Sequence, residues 1–171
     1  MKKNLLILSI LFVASCAFPA SKQGMTVTDL KSPKKIGEKI FVKESKGGST
    51  TLPFWTSEIS DENFTFAVKK SLINSQAFSE LSSKWEDDWG LEIEILNVDQ
   101  PLVGIDFTVK TQVKYTLYKK GNKVYETTVY ETGKATPTDA IIAVARLRIA
   151  NEKSAKANIA KFVEKISSEK F

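Results

Sequence analysis

The chain of 171 residues contains no histidine and one cysteine. The first absence removes Ser-His-Asp and Cys-His catalysis together with the usual zinc sites. The second excludes an internal disulfide whatever the redox state of the compartment. No apolar run is long enough to cross a bilayer. The longest, residues 5–13, is interrupted only by Ser9 and as a helix would rise roughly 13–14 Å, well short of the ~30 Å hydrocarbon core. Carboxylates are plentiful, Glu58, Glu62, Asp99 and Asp106 among them, but their spacing brings no acid/base pair together. No catalytic residue, metal ligand or cofactor site is therefore expected, and the chain does not read as an enzyme.

What is present begins with an export signal. Lys2 and Lys3 precede the apolar run, and Val13, Ala14 and Ser15 lead into Cys16. This order resembles the lipobox of bacterial lipoproteins, in which the cysteine becomes the lipid-carrying first residue of the mature chain. A thiolate is the side-chain nucleophile suited to alkylation by a diacylglycerol donor. Each buried methylene then contributes about 0.8 kcal/mol, so several acyl chains hold permanently. Ala17 stands where an aspartate would mark inner-membrane retention. The resemblance thus implies a cell-envelope location, lipid-anchored at the outer membrane and facing the periplasm. The expected division is 1–15 signal peptide, 16–35 lipidated N-terminus and tether, and 36–171 a single domain.

Hydrophobic content of 42% and charged content of 26% are those of a folded domain. The formal charge of +5 includes Lys2 and Lys3. The remaining basic residues are interleaved with acids, as in Lys153, Lys156, Glu164 and Lys165, which gives a mixed-charge surface and no nucleic-acid partner.

Residues 38–44 read as a first strand. Ser60 is a helix N-cap, followed by Asp61 and Glu62 at the positive end of the dipole, with Ile59 and Phe64 spaced as a staple. Phe64, Val68 and Leu72 then mark the buried stripe. Leu91, Ile93 and Ile95 alternate with acids, and residues 105–117 alternate for longer still. Lys120, Gly121 and Asn122 turn the chain into a strand over 124–131. A two-residue turn at Gly121 and Asn122 would set Leu117 opposite Glu126, whereas a three-residue loop with a bulge sets Leu117 opposite Tyr125 and Val113 opposite Val129 and is the expected register. Thr136, Pro137 and Asp139 suggest the start of a last helix running to about Ser167 and spanning about 45 Å. Its apolar stripe would comprise Ile142, Ala145, Ile149, Ile159, Phe162, Val163 and Ile166. The expected fold is α+β: an antiparallel meander of about four strands packed against two helices, the C-terminal one long.

Candidate contact residues are few. Arg146, Arg148 and Glu152 interrupt an otherwise apolar helix, where Arg148 and Glu152 can pair four residues apart. They would serve either a partner contact or a structural ion pair at the helix–sheet seam. Trp55, Trp85 and Trp89 fall outside the expected elements, as plugs of the core or as a binding patch, Trp55 being the candidate for contact. The acids between Trp85 and Trp89 lack the spacing of a calcium loop.

Pro53, Phe54, Trp55, Thr56 and Ser57, then the run from Asp99 to Gly104 (DQPLVG), and the run from Arg146 to Glu152 (RLRIANE) with Asn158 beyond it, together resemble a family of small uncharacterised bacterial envelope lipoproteins. The similarity covers roughly residues 50–166. It implies no established reaction. Some members carry an acyltransferase label, for which this chain offers neither histidine nor hexapeptide repeats. The expected role is a non-enzymatic binding or assembly component with an envelope protein partner. The alternative is a lipid or small-ligand carrier using a cleft between sheet and long helix.

Overall fold

The computed structural model describes residues 18–50, 57–85 and 89–171; Cys16 and Trp55 lie outside them. A five-stranded sheet in the order β2-β1-β3-β4-β5 forms the frame. It comprises β1 (Gly37–Val42), β2 (Phe78–Leu81), β3 (Trp89–Asp99), β4 (Phe107–Lys119) and β5 (Asn122–Ala135). Among the described residues three helices accompany it: α1 (Lys22–Met25), α2 (Asp61–Asn74) and α3 (Ala143–Ser168).

The fold is α+β as expected, but the sheet is mixed and not an antiparallel four-strand meander. β1 runs parallel to both β2 and β3, while β3, β4 and β5 are antiparallel. Parallel neighbours need a long crossover, and α2 supplies it between β1 and β2. β2 itself has no alternating pattern to announce it: four residues, of which only Phe78 is buried.

α2 starts where the sequence places it. Ser60 is extended at φ −84° and ψ 150°, and its hydroxyl accepts from the Asn63 amide at 3.3 Å. Ile59, Phe64, Val68 and Leu72 are all buried. On the hairpin, Val113 pairs with Val129 and Leu117 with Tyr125, with a register shift after Leu117. The turn itself is shorter than expected. Lys119 pairs with Asn122, so Lys120 and Gly121 turn the chain at φ 50° and 78°, the doubly left-handed turn whose twist matches the strands. The extra residue is Val124, inside β5.

α3 begins later than expected. Thr136 and Asp139 do bond reciprocally: the Thr136 amide donates to Asp139 Oδ2 at 2.8 Å, and the Asp139 amide donates to the Thr136 carbonyl at 2.9 Å. That turn does not propagate. Arg146 Nη1 occupies the carbonyls of Ala140 and Ile141 at 2.9 and 2.5 Å, and Ile142 becomes the N-cap without a side-chain bond. The 26 residues of α3 rise about 39 Å.

The stripe on α3 also differs from its apolar reading. Ile142 is 48% exposed, while Leu147, Ala150, Asn151, Ser154, Ala155 and Asn158 are buried. Small and amide side chains let the helix approach and bond to β4 and β5. Asn158 accepts from the Tyr115 hydroxyl at 2.9 Å and donates to the Val129 carbonyl at 3.0 Å. Ser154 donates to the Glu131 carbonyl at 3.1 Å. Tyr115 stacks on Phe162 at 4.0 Å between centroids and 7° between planes; burial pushes its phenol well above the ordinary range. Trp89 opens β3, fully buried against Phe78 and Phe171. Trp85 packs on the opposite face against Tyr118 and Phe41.

The stretch expected as a tether joins the domain from Phe18 onward. Ala20, Met25 and Val27 are core residues, and the Val27 amide donates to Ser71 Oγ at 2.9 Å. Three apolar anchors spaced among polar residues carry no helical or strand period, so pattern alone could not reveal them. Among the described residues, no helix is long and apolar enough to cross a membrane.

Candidate functional site

β3 ends, β4 begins and β5 ends at one edge of the sheet, with Asp99 paired to Lys110 and Phe107 to Ala135. Beyond β1 the chain follows β3 toward the same end, where Lys46 bridges Glu94. The residues 18–21, 57–60, 100–106 and 136–142 therefore gather there, around the N-terminal half of α3.

Asn151 joins two of these segments to α3. It is fully buried, and its Nδ2 donates to the Ser57 carbonyl at 2.8 Å and to Gln100 Oε1 at 2.9 Å. Gln100 Nε2 in turn donates to Glu58 Oε1 at 2.8 Å. Asn151 Oδ1 has no hydrogen-bond partner. The segments on which the family resemblance rests thus meet at one amide, insofar as they are described. Sequence reasoning named Glu58 only among unpaired carboxylates, and Gln100 and Asn151 only within the runs that carry the resemblance; an amide on a helix and a Gln-Pro turn far apart in sequence carry no spacing signal that would join them.

Glu152 serves the N-terminal segment. Its Oε1 accepts from the Ser21 amide at 2.8 Å, at the N-cap of α1, and stands 3.7 Å from Arg148 Nε. Arg148 remains more than a third exposed, and its buried Nε makes no hydrogen bond. Arg146 is buried, with its guanidinium over the Phe107 ring at 5.7 Å, and also leaves Nε without a hydrogen bond. Phe107, Val109, Ala135, Leu147 and Ala150 form a second small apolar cluster beneath it. Of the three charged candidates on α3, Arg146 thus faces the carbonyls of Ala140 and Ile141, Glu152 faces Ser21, and Arg148 stands beside Glu152.

Ser57 Oγ donates to the Phe18 carbonyl at 2.7 Å, the Ala20 amide donates to the Glu58 carbonyl at 2.9 Å, and Asn63 Nδ2 donates to the Ala20 carbonyl at 3.0 Å. The backbone is therefore fixed within two residues of Cys16. Around this end stand Phe18, Leu102, Val103, Ile105, Ile141 and Ile142, all exposed.

The uncovered face of the sheet is chemically different. Lys43 pairs with Glu92 at 2.9 Å and Lys114 with Glu94 at 2.8 Å. The Lys43 bond holds the Glu92 carboxyl below its ordinary range, and Glu94 raises Lys114. The groove between them is lined by Lys43, Glu92, Glu94, Lys114 and Tyr118, all within a self-paired lattice. Among the described residues, no group of acids is placed to hold a metal ion.

No protein-family model and no curated protein matches the chain. Its fold is similar to that of a Xanthomonas campestris protein of family DUF330, with TM-score 0.59 and 10% identity over 88% of this chain and 92% of that one. A hypothetical protein from Chlamydia trachomatis matches with TM-score 0.53 and 8% identity, over 77% and 96% of the two chains. A minor lipoprotein from Acinetobacter baumannii overlaps more loosely, with TM-score 0.49 and 13% identity over 79% and 94%. At these identities the likeness of the first two is one of fold alone.

Proposed function

We propose that the chain is a lipoprotein of the cell envelope, lipidated at Cys16 and held at the outer membrane on its periplasmic side, whose domain acts by binding and not by catalysis. The observation that carries this reading is the absence of slack behind the lipobox-like cysteine. Only Ala17 separates Cys16 from Phe18, and Phe18, Ala20 and Ser21 are bonded to Ser57, Glu58, Asn63 and Glu152. A lipid at Cys16 would hold one defined end of the domain at the bilayer, so the domain presents a fixed orientation to an envelope protein partner.

The carrier alternative is less well supported. The seam between sheet and α3, where a ligand cleft was expected, is filled by Tyr115 stacked on Phe162 and by the bonded amide of Asn158. The test is metabolic labelling with palmitate in a bacterium expressing the full chain. The unsubstituted protein takes up label and loses residues 1–15, and the Cys16→Ser chain does neither. Label on the variant, or none on the parent chain, overturns the reading.

A further inference from the structure

The loops at the anchored end expose apolar side chains that the fold holds outward. Leu102, Val103 and Ile105 are 80%, 85% and 76% exposed, and Ile141 is 91% exposed. Such residues scattered singly are ordinary on a soluble surface, but grouped on neighbouring loop tips they mark a contact. Both loops are also pinned. Gln100 is held by Asn151 and Glu58, and Arg146 Nη1 grips the carbonyls of Ala140 and Ile141. Little ordering cost remains to be met on binding.

We propose that this tip is a second membrane contact, in which Leu102, Val103, Ile105, Ile141 and Ile142, with Phe18, enter the headgroup–acyl boundary and seat the domain end-on upon the bilayer. The inference rests on lipidation of Cys16. From Cys16 the chain reaches Phe18 in about 7 Å when fully extended. Phe18 is in turn linked to the 100–106 loop through Ser57, Asn151 and Gln100. The bilayer is thus the apolar phase that the lipid brings within reach of these side chains.

Charge favours the same occupant. Neither 100–106 nor 136–142 contains lysine or arginine. Their acids are already matched by cations behind the tip, Asp106 by Lys134 at 2.8 Å and Asp139 by Lys153 at 2.7 Å. Insertion is then driven by apolar burial to the ~5–10 Å depth of an interfacial contact. It needs no anionic lipid and is insensitive to salt.

The test exploits the solitary cysteine, whose thiol is consumed by lipidation. Val103→Cys, Ile141→Cys and, at the opposite hairpin, Asn122→Cys chains are purified lipidated and labelled with an environment-sensitive nitrobenzoxadiazole dye. They are then reconstituted at low density into phosphatidylcholine vesicles. The expected result is blue-shifted emission and a several-fold loss of iodide quenching at 103 and 141, unchanged by high salt, with the probe at 122 remaining aqueous. Quenching at 103 and 141 as ready as at 122 overturns the proposal. So does burial that develops only as protein density rises, which identifies a contact between copies, or only when a protein partner is added. The unsubstituted chain is the control for the anchor. If it takes up dye, lipidation of Cys16 is refuted; if it takes up none while the probes at 103 and 141 stay aqueous, the anchor stands and the tip contact alone is overturned.

Discussion

Replacing Asn151 by alanine tests whether one amide holds the candidate site together. The change removes two hydrogen bonds, to the Ser57 carbonyl and to Gln100 Oε1, worth about 1 kcal/mol each. It leaves the carbonyl of a fully buried residue, Ser57, without that donor, at a further cost of about 1–3 kcal/mol. Against this, the orphaned Oδ1 disappears with the side chain, returning about 1–3 kcal/mol. The balance is a loss of about 2 kcal/mol, or roughly 4–8 °C in Tm for a domain of this size. Asn151→Asp keeps the shape but turns an acceptor toward two acceptors and buries a charge, so it should cost more than alanine, about 3–5 kcal/mol. Gln100→Ala alone should cost about 1 kcal/mol, and the double variant should show a coupling of about 1 kcal/mol. Urea denaturation followed by circular dichroism measures all four corners of the cycle. Simple additivity, or an aspartate no worse than the alanine, would refute the reasoning, because either result requires that the amide not be shared between the segments.

Gly133→Ala should be among the more damaging single-methyl additions, since a Cβ there would overlap the backbone of Ala150 and Ser154 in α3; a loss of about 3 kcal/mol is expected by denaturant titration. Asp139 tests the opposite, exposed extreme. Its bond from Lys153, followed by that from the Thr136 amide, holds its carboxyl below the ordinary value of 3.8. A depressed folded pKa contributes stability that is present above the unfolded value and lost as pH falls through the folded one. The Tm gap between the parent and Asp139→Asn should therefore exist at about pH 6 and close below pH 3.8. A gap that persists or widens in acid would contradict the assignment.

The elements legible in the sequence were those whose burial follows a short period. Ser60 and the Phe64 stripe gave the start and the buried face of α2, and alternation gave β3 and β4, because side chains there face either core or water. The register of β5 followed because a one-residue slip would have turned Tyr125 and Val129 to the wrong face. β2 was not legible, since a four-residue edge strand with one buried side chain has no period to read. Without it, the parallel half of the sheet could not be inferred. The start of α3 misled for a different reason. Its local capping signal at Thr136 and Asp139 is satisfied, yet a guanidinium six residues from Ala140 takes the carbonyls that would have continued the turn. Likewise, the buried face of α3 reads as polar because Ser154 and Asn158 find their partners on strands and Asn151 finds its own on the loops at Ser57 and Gln100, and such partners are set by tertiary packing.

The site was legible only in fragments, and the way the fragments join bears on its role. Arg146, Arg148 and Glu152 drew notice as charges on an apolar helix, but each is engaged within the chain: one holds a loop, one stands beside its neighbour's carboxylate, one caps the N-terminal segment. Residues so engaged are poor contacts and good supports. What they support is the exposed apolar tip on one side and the exit toward Cys16 on the other. β4, with 13 residues, spans about 40 Å from that end to the hairpin, where Lys119, Lys120 and Lys123 stand beside the turn. With the tip seated on a bilayer, the ion-paired sheet face would stand upright beside the membrane and the basic hairpin would point away from it. The polar junction at Asn151 then has a mechanical meaning: it fixes the angle between the anchor and the body of the domain, and so determines which surfaces a partner can reach.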